Sequence, residues 1–160
     1  MCNVDPRPSE QVYRQIVDKA RDAVIFADVD GVIRLWNSGA EVIFGYRASE
    51  ALGQTLDLII PERFRHRHWE GYLKVMATGV TKHSQELLAV PGTRNDGTRI
   101  SLEFVIVLLE GVDGAVQGAA AIMRDVTERW ERDRATAERL TELEGRLVNK
   151  ELPEAVEGGH

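Results

Sequence analysis

The stretch Asp28–Asn37, "DVDGVIRLWN", decides how the rest of the chain is read. Its Asp30-Gly31 pair is a strong signal for a tight hairpin turn. It stands between two short β-rich runs, 23–27 ("AVIFA") and 32–36 ("VIRLW"). Branched and aromatic side chains crowd a helix at χ1 but suit a half-buried pleated surface. The central domain therefore opens on an antiparallel pair. Asn37 and Ser38 mark where strand gives way to helix, because a short side chain bearing an oxygen accepts from the free N–H groups of a first helical turn.

Upstream, Ser9 is placed to cap a helix over 10–20. Its Val12, Ile16 and Ala20 recur every four positions beside Tyr13 and Val17, a stripe expected to be buried. Residues 1–8, which hold Pro6 and Pro8, read as a loose leader. Downstream, a short helix over 39–44 stops at Gly45, and a second, opened by Ser49, closes at Gly53. A longer helix over 61–78 begins with Pro61, which suits a first turn, and ends at Gly79. Three strands are expected after it, over 81–90, 98–109 and 115–124, with turns at "NDG" (95–97) and "GVDG" (111–114). In the middle strand Ile100, Leu102, Phe104 and Ile106 alternate with Ser101 and Glu103, so one face is apolar. Two strands, several helices and three strands define an α+β architecture: a five-stranded antiparallel sheet with helices on one face.

From Thr127 the texture changes to charged helix formers, over 127–152. Leu140, Leu143 and Leu147 step by three and four, the spacing of a coiled-coil seam. Two readings stay open for this helix: a solvated amphipathic helix folded back on its own domain, or a dimer seam. The tail 153–160 reads as disordered. The chain thus divides into a leader and helix (1–20), a central domain (21–126), a C-terminal helix (127–152) and the tail.

Composition narrows the function. The chain has 160 residues, 43% hydrophobic and 29% charged, with a formal net charge of -6. A nucleic-acid surface needs a basic stripe, which this balance argues against; proteins or small molecules are the expected partners. Cys2 is the only cysteine, so no internal disulfide or cysteine-based metal site is available. With no apolar run of signal-peptide or membrane-spanning length, a cytoplasmic protein is expected. A phosphate-binding glycine loop, a nucleophile with its base and a paired acidic site are all missing from the sequence, so no enzymatic activity is expected.

Four motifs in order, "DxDGxIxxWN" at 28–37, "FGYRASEALGQ" at 44–54, "NDGTRI" at 95–100 and "RDVTER" at 124–129, resemble a PAS domain over 21–129. The resemblance implies a sensor or interaction module whose last motif couples the sheet to an outgoing signalling helix. On the residues themselves, Asp125 and Thr127 are expected to cap that helix, with Arg124 close enough to pair with Asp125.

Two of the four histidines, His66 and His68, lie in the 61–78 helix. They stand about 200° apart around it, so they cannot share a zinc ion. One PAS subset, found in oxygen-sensing histidine kinases and a related cyclic-di-nucleotide phosphodiesterase, binds haem through a histidine seven residues after a proline. From Pro61 that position is His68, and "EGYL" after Trp69 is similar to the "DGYL" of the kinases. The resemblance therefore implies haem b, with His68 as the axial ligand beside Trp69 and Tyr72. Leu73, Val75, Met76, Leu102, Phe104 and Ile106 would supply apolar walls, and Lys74 and His83 cations for the propionates. Leu88 stands where tightly oxygen-binding relatives place an arginine, Trp69 is inserted beside the ligand, and Phe104 crowds the far side. Nitric oxide, carbon monoxide or redox state is then the expected signal rather than stable oxygenation. Two alternatives stay open: a cofactor-free module acting as a homodimer through its flanking helices, or a pocket for another small ligand such as flavin. The cysteine of the light-sensing flavin subclass has no counterpart here. Output is expected to pass to a separate effector protein.

Overall fold

A computed structural model describes residues 6–83 and 86–151, with side chains up to residue 148. Residues 1–5 of the leader and the tail at 153–160 lie outside the described residues. The hairpin forms as the sequence predicts. β1 (Ala23–Asp28) and β2 (Ile33–Trp36) pair antiparallel, with Ile25 opposite Trp36 and a bulge after Phe26. Gly31 supplies the left-handed φ of 75° that the turn requires. The Asp28 carboxylate accepts from the backbone N–H groups of Asp30 and Val32, at 3.1 and 3.0 Å, and from Arg34 Nε at 2.7 Å. Burial works against this charge, but Arg34 and the two amides outweigh it and hold the Asp28 pKa below its usual value.

β3 (Leu88–Thr93), β4 (Arg99–Glu110) and β5 (Val116–Asp125) complete a sheet of order β2-β1-β5-β4-β3, antiparallel throughout. The first of these strands starts seven residues later than the sequence pattern suggests and runs on through Pro91. Residues 81–83 form loop and turn, and a proline is tolerated in β3 because it is an edge strand. The inner face carries Ala23, Ile25, Ala27, Ile100, Leu102 and Met123, all buried. Against it pack α2 (Ser38–Phe44), α3 (Ala48–Ala51) and a 3-10 turn at Leu56–Leu58, through Ala40, Ile43, Phe44, Ala51 and Leu56. The cap of α3 differs from expectation: Arg47, not Ser49, occupies the N-cap, and Glu50 accepts from its backbone N–H at 2.7 Å.

Asn37, 3% exposed, does more than end a strand. Its side-chain oxygen accepts from Val24 N and Ala40 N at 2.8 and 2.9 Å. Its amide donates to the carbonyls of Val17, Asp22 and Ala20 at 2.8, 3.0 and 3.4 Å. One buried asparagine thereby joins α1 (Glu10–Lys19), β1 and α2. The apolar stripe of α1 is otherwise not buried as expected: Val12, Tyr13 and Ile16 are 42%, 52% and 61% exposed, and only the last turn is held against the domain. Periodicity establishes that a helix has an apolar face but does not supply the surface to cover it.

The chain divides into two units at the Val126–Thr127 bond, the second holding α5 (Thr127–Glu151). At the end of β5 the expected pairing of Arg124 with Asp125 does not occur. Successive strand residues point to opposite faces of a sheet, so these neighbours diverge. Arg124 instead grips Asp22 with two bonds of 3.0 and 2.8 Å, and Asp125 accepts from Arg94 at 2.6 Å.

Candidate ligand site

α4 (Glu62–Thr78) is capped by Pro61 and closed by Gly79 at φ 66°. Advance of about 100° per residue places His68, Tyr72 and Val75 on one face with Trp69 and Met76 beside them. All five are half-buried, whereas Leu73 is 57% exposed. Leu73, expected as a wall, lies about 140° around the helix from His68 and so faces water.

Three anchors fix the first half of α4. Trp69 Nε1 donates to Asp57 Oδ1 at 2.8 Å, and its ring lies across Gly31 of the hairpin turn. Arg65 donates to the carbonyls of Ile60 and Asp57, each at 3.0 Å. The Tyr72 hydroxyl lies 2.6 Å from the Asp28 carbonyl and 3.1 Å from that of Ala27, at the end of β1. Burial, with the Asp28 charge adding to it, pushes the Tyr72 pKa up to about 12, so the hydroxyl keeps its proton.

The His68 ring lies between these anchors, 5.1 Å from Trp69 edge-on and 5.6 Å from Tyr72. Its Nδ1 is buried and makes no hydrogen bond. Burial lowers the His68 pKa against the opposing charge of Asp57, which leaves a neutral imidazole. His66 points away, 90% exposed and 3.3 Å from Glu70.

The facing wall is the inner sheet surface. Leu102 is buried there, Phe104 and Ile106 are half-buried further along the strand, and Leu88 lies directly across from Phe104. Trp69, Tyr72 and Phe104 pack against the same core as Leu102. Of the expected site residues, His68, Trp69 and Tyr72 form one cluster on α4, while Leu88, Leu102, Phe104 and Ile106 form a second on the sheet. Lys74 and His83 are exposed, the latter with Nδ1 2.7 Å from Glu86 Oε2. Asp57, unsuspected from the sequence, holds Trp69 and acts on His68 (its place in a short 3-10 turn gave no pattern to find it by). An open hollow of about 390 Å³ occurs elsewhere, between the end of α1 and the outer sheet face, lined by Ile16, Val17, Val24 and Ile122. Among the described residues, no helix is long and apolar enough to cross a membrane, and no cluster of three or more potential metal ligands occurs.

The geometry is that of a PAS domain, and the model of the PAS fold matches residues 17–131. The chain belongs to this family. It is 32% identical over 144 residues to the sensor protein FixL of Bradyrhizobium diazoefficiens, covering 89% of this chain and 27% of that protein. It is also 32% identical over 130 residues to the signal transduction histidine-protein kinase AtoS of Escherichia coli, covering 80% of this chain and 20% of that protein. The chain therefore spans about a quarter or less of such relatives. Among solved structures, a PAS domain of a Colwellia psychrerythraea protein superposes with a TM-score of 0.65 at 22% identity, over 74% of this chain and 97% of that one. The chain is thus a PAS domain, and the relatives it resembles are a sensor protein and a signal transduction histidine-protein kinase.

Proposed function

We propose that this PAS domain holds haem b through His68, responds to a diatomic gas (NO, CO or O2) or to redox state, and passes the change through its flanking helices to an effector protein. The observation that carries this reading is the imidazole of His68, held neutral on the inward side of α4 with a buried nitrogen that bonds to nothing. A neutral imidazole with a free lone pair is what an iron ligand requires. Haem, when bound, supplies an iron that takes up small gases or changes oxidation state. Leu88, Leu102, Phe104 and Ile106 form a wall without a side-chain hydrogen-bond donor, which favours signals that need none, nitric oxide or carbon monoxide ahead of oxygen. Trp69 and Tyr72 shoulder the ring, so a planar ligand is admitted by outward movement of α4. That movement gives up the Trp69–Asp57 and Tyr72–Asp28 hydrogen bonds and part of the packing of Trp69 and Tyr72 on the core, so ligand binding is coupled to displacement of the helix. Lys74 and His83, both exposed, are the cations available to propionates at the rim.

The test is the colour of protein produced with iron and a haem precursor. A Soret band that disappears in His68→Ala supports the reading; colourless protein that ignores added haemin rejects it. A flavin spectrum would place a different ligand on the same face.

A second reading is favoured by a separate observation. Val12, Tyr13 and Ile16 on α1 and Val107, Leu109 and Ile122 on the outer sheet face are all 40% exposed or more. Such surfaces suit a cofactor-free module that works by pairing with a second copy of itself. A dimer that forms equally well without any chromophore would favour it. In both readings the domain acts as a sensor or adaptor and catalyses nothing.

A further inference from the structure

Of the three arginines at the start of α4, one is engaged by the fold and two are not. Arg65 is held by the carbonyls of Ile60 and Asp57. Arg63 and Arg67 are exposed and make no ion pair with any of the described residues. The Arg63 guanidinium rests over the Phe64 ring, 4.5 Å from its centroid. Lys74, further along the helix, is exposed and likewise without an ion pair among the described residues.

These cations share one side of the helix. Arg63, Arg67, Gly71, Lys74 and Thr78 follow one another by four, four, three and four residues, the steps that keep side chains in line. All five are exposed, and the stripe contains no acidic residue. Glu70 borders it but leans on His66 at 3.3 Å.

Gly71 lies in the middle of the stripe, and nothing in its own domain calls for it. Glycine weakens a helix interior relative to alanine, yet a Cβ at position 71 would meet nothing within 4 Å. What the glycine does provide is bare helix backbone between Arg67 and Lys74. A second helix can approach such a notch more closely than side chains otherwise allow.

Charge then selects the occupant. The chain carries a formal net charge of -6, but this stripe is cationic over about 17 Å. Three cations fall short of the roughly four to eight that hold a protein on an anionic membrane. A nucleic acid, charged along its whole length, would be repelled by the acidic remainder of the chain. Carboxylates repeating three or four residues apart on one face of a helix match both the spacing and the notch.

We propose that the outward stripe of α4 is a docking surface for an acidic α-helix of a separate protein, seated across Gly71 and paired with Arg63, Arg67 and Lys74. The surface is distinct from the flanking helices and requires no haem. It lies on the helix whose inward side carries His68, so a ligand that displaces α4 displaces the docking surface with it.

The experiment uses the full chain without haem and two dye-labelled, alanine-rich peptides of about 24 residues, long enough to be helical in water. One carries glutamates placed to meet the three cations and an alanine to face Gly71; the other has the same composition with its glutamates dispersed around the helix. Fluorescence anisotropy should show the aligned peptide binding roughly five-fold or more tightly than the dispersed one, and Arg63→Glu with Arg67→Glu should remove that preference. Gly71→Leu should weaken binding of the aligned peptide roughly five-fold or more while raising the thermal midpoint of the domain. A glycine needed only by the fold would do the reverse, lowering the midpoint and leaving binding unchanged, and that result overturns the proposal. Equal binding of the two peptides, or binding of neither, also overturns it. So does tighter capture by phosphatidylserine vesicles, or self-association in light scattering, that the double charge reversal removes. Haem is absent throughout, so these outcomes and the Soret test of His68 stand or fall separately.

Discussion

Asn37 donates its side-chain amide to the Val17 carbonyl at 2.8 Å, which makes one buried residue of the first hairpin the fastening of α1. The same side chain receives the N–H groups of Val24 and Ala40. Asn37→Ala orphans two buried donors together with the carbonyls of Val17 and Asp22, and a stability loss of about 3 kcal/mol is expected. Asn37→Asp keeps the acceptor but loses both amide hydrogens, so it remains clearly destabilised. Urea unfolding measures both; a loss below about 1 kcal/mol for the alanine variant would mean that α1 is not held this way.

Gly31 and Trp69 tie the hairpin turn to α4. A Cβ on Gly31 would lie 2.2 Å from the Trp69 ring, at a φ of 75° that L-residues avoid. Gly31→Ala is expected to cost about 2 kcal/mol and to displace the indole that flanks His68. A thermal midpoint equal to that of the unsubstituted protein would show that the turn and the helix are not in this contact.

The sheet was legible because hairpins are local. Asp30-Gly31, "NDG" and "GVDG" each announce a turn, and alternation on either side names the inward face. Asn37 was readable as a cap but not as the anchor of α1, since its bonds to Val17 and Asp22 depend on how the helix docks. Arg124 and Asp22 lie 102 positions apart, a separation at which no sequence pattern signals a pairing. Arg124 and Asp125 look like partners in the sequence only because adjacency hides the alternation of a strand. On α4, the resemblance singled out His68 by its count from Pro61, while Asp57, which steadies its neighbour Trp69, was out of reach of any periodicity.

His68 makes stability fall on mild acidification. Its pKa is lowered in the folded domain from an ordinary value of 6.5, so the unfolded chain binds the proton more readily. Stability is full above about pH 6.5 and declines as pH falls from there toward the folded-state value. In haem-free protein, denaturant unfolding between pH 7.5 and 5.5 should show this decline, and His68→Leu should flatten it. An unchanged slope in the variant would place the titration elsewhere.

Arg94 and Asp125 join the β3–β4 turn to the end of β5 at 2.6 Å, with side chains 37% and 21% exposed. Partial exposure limits the worth of such a pair, and Arg94→Met is expected to cost about 1 kcal/mol, less at high salt. Equilibrium unfolding at two salt concentrations checks it. A loss that does not shrink with salt would point to packing by the arginine stem rather than to charge.

The most direct test of the account is a haemin titration of the purified domain, followed by absorbance and run beside His68→Ala. The account predicts a Soret band that saturates at one haem per chain in the unsubstituted protein and does not develop in the variant. Equal binding by both proteins, or binding by neither, would contradict it.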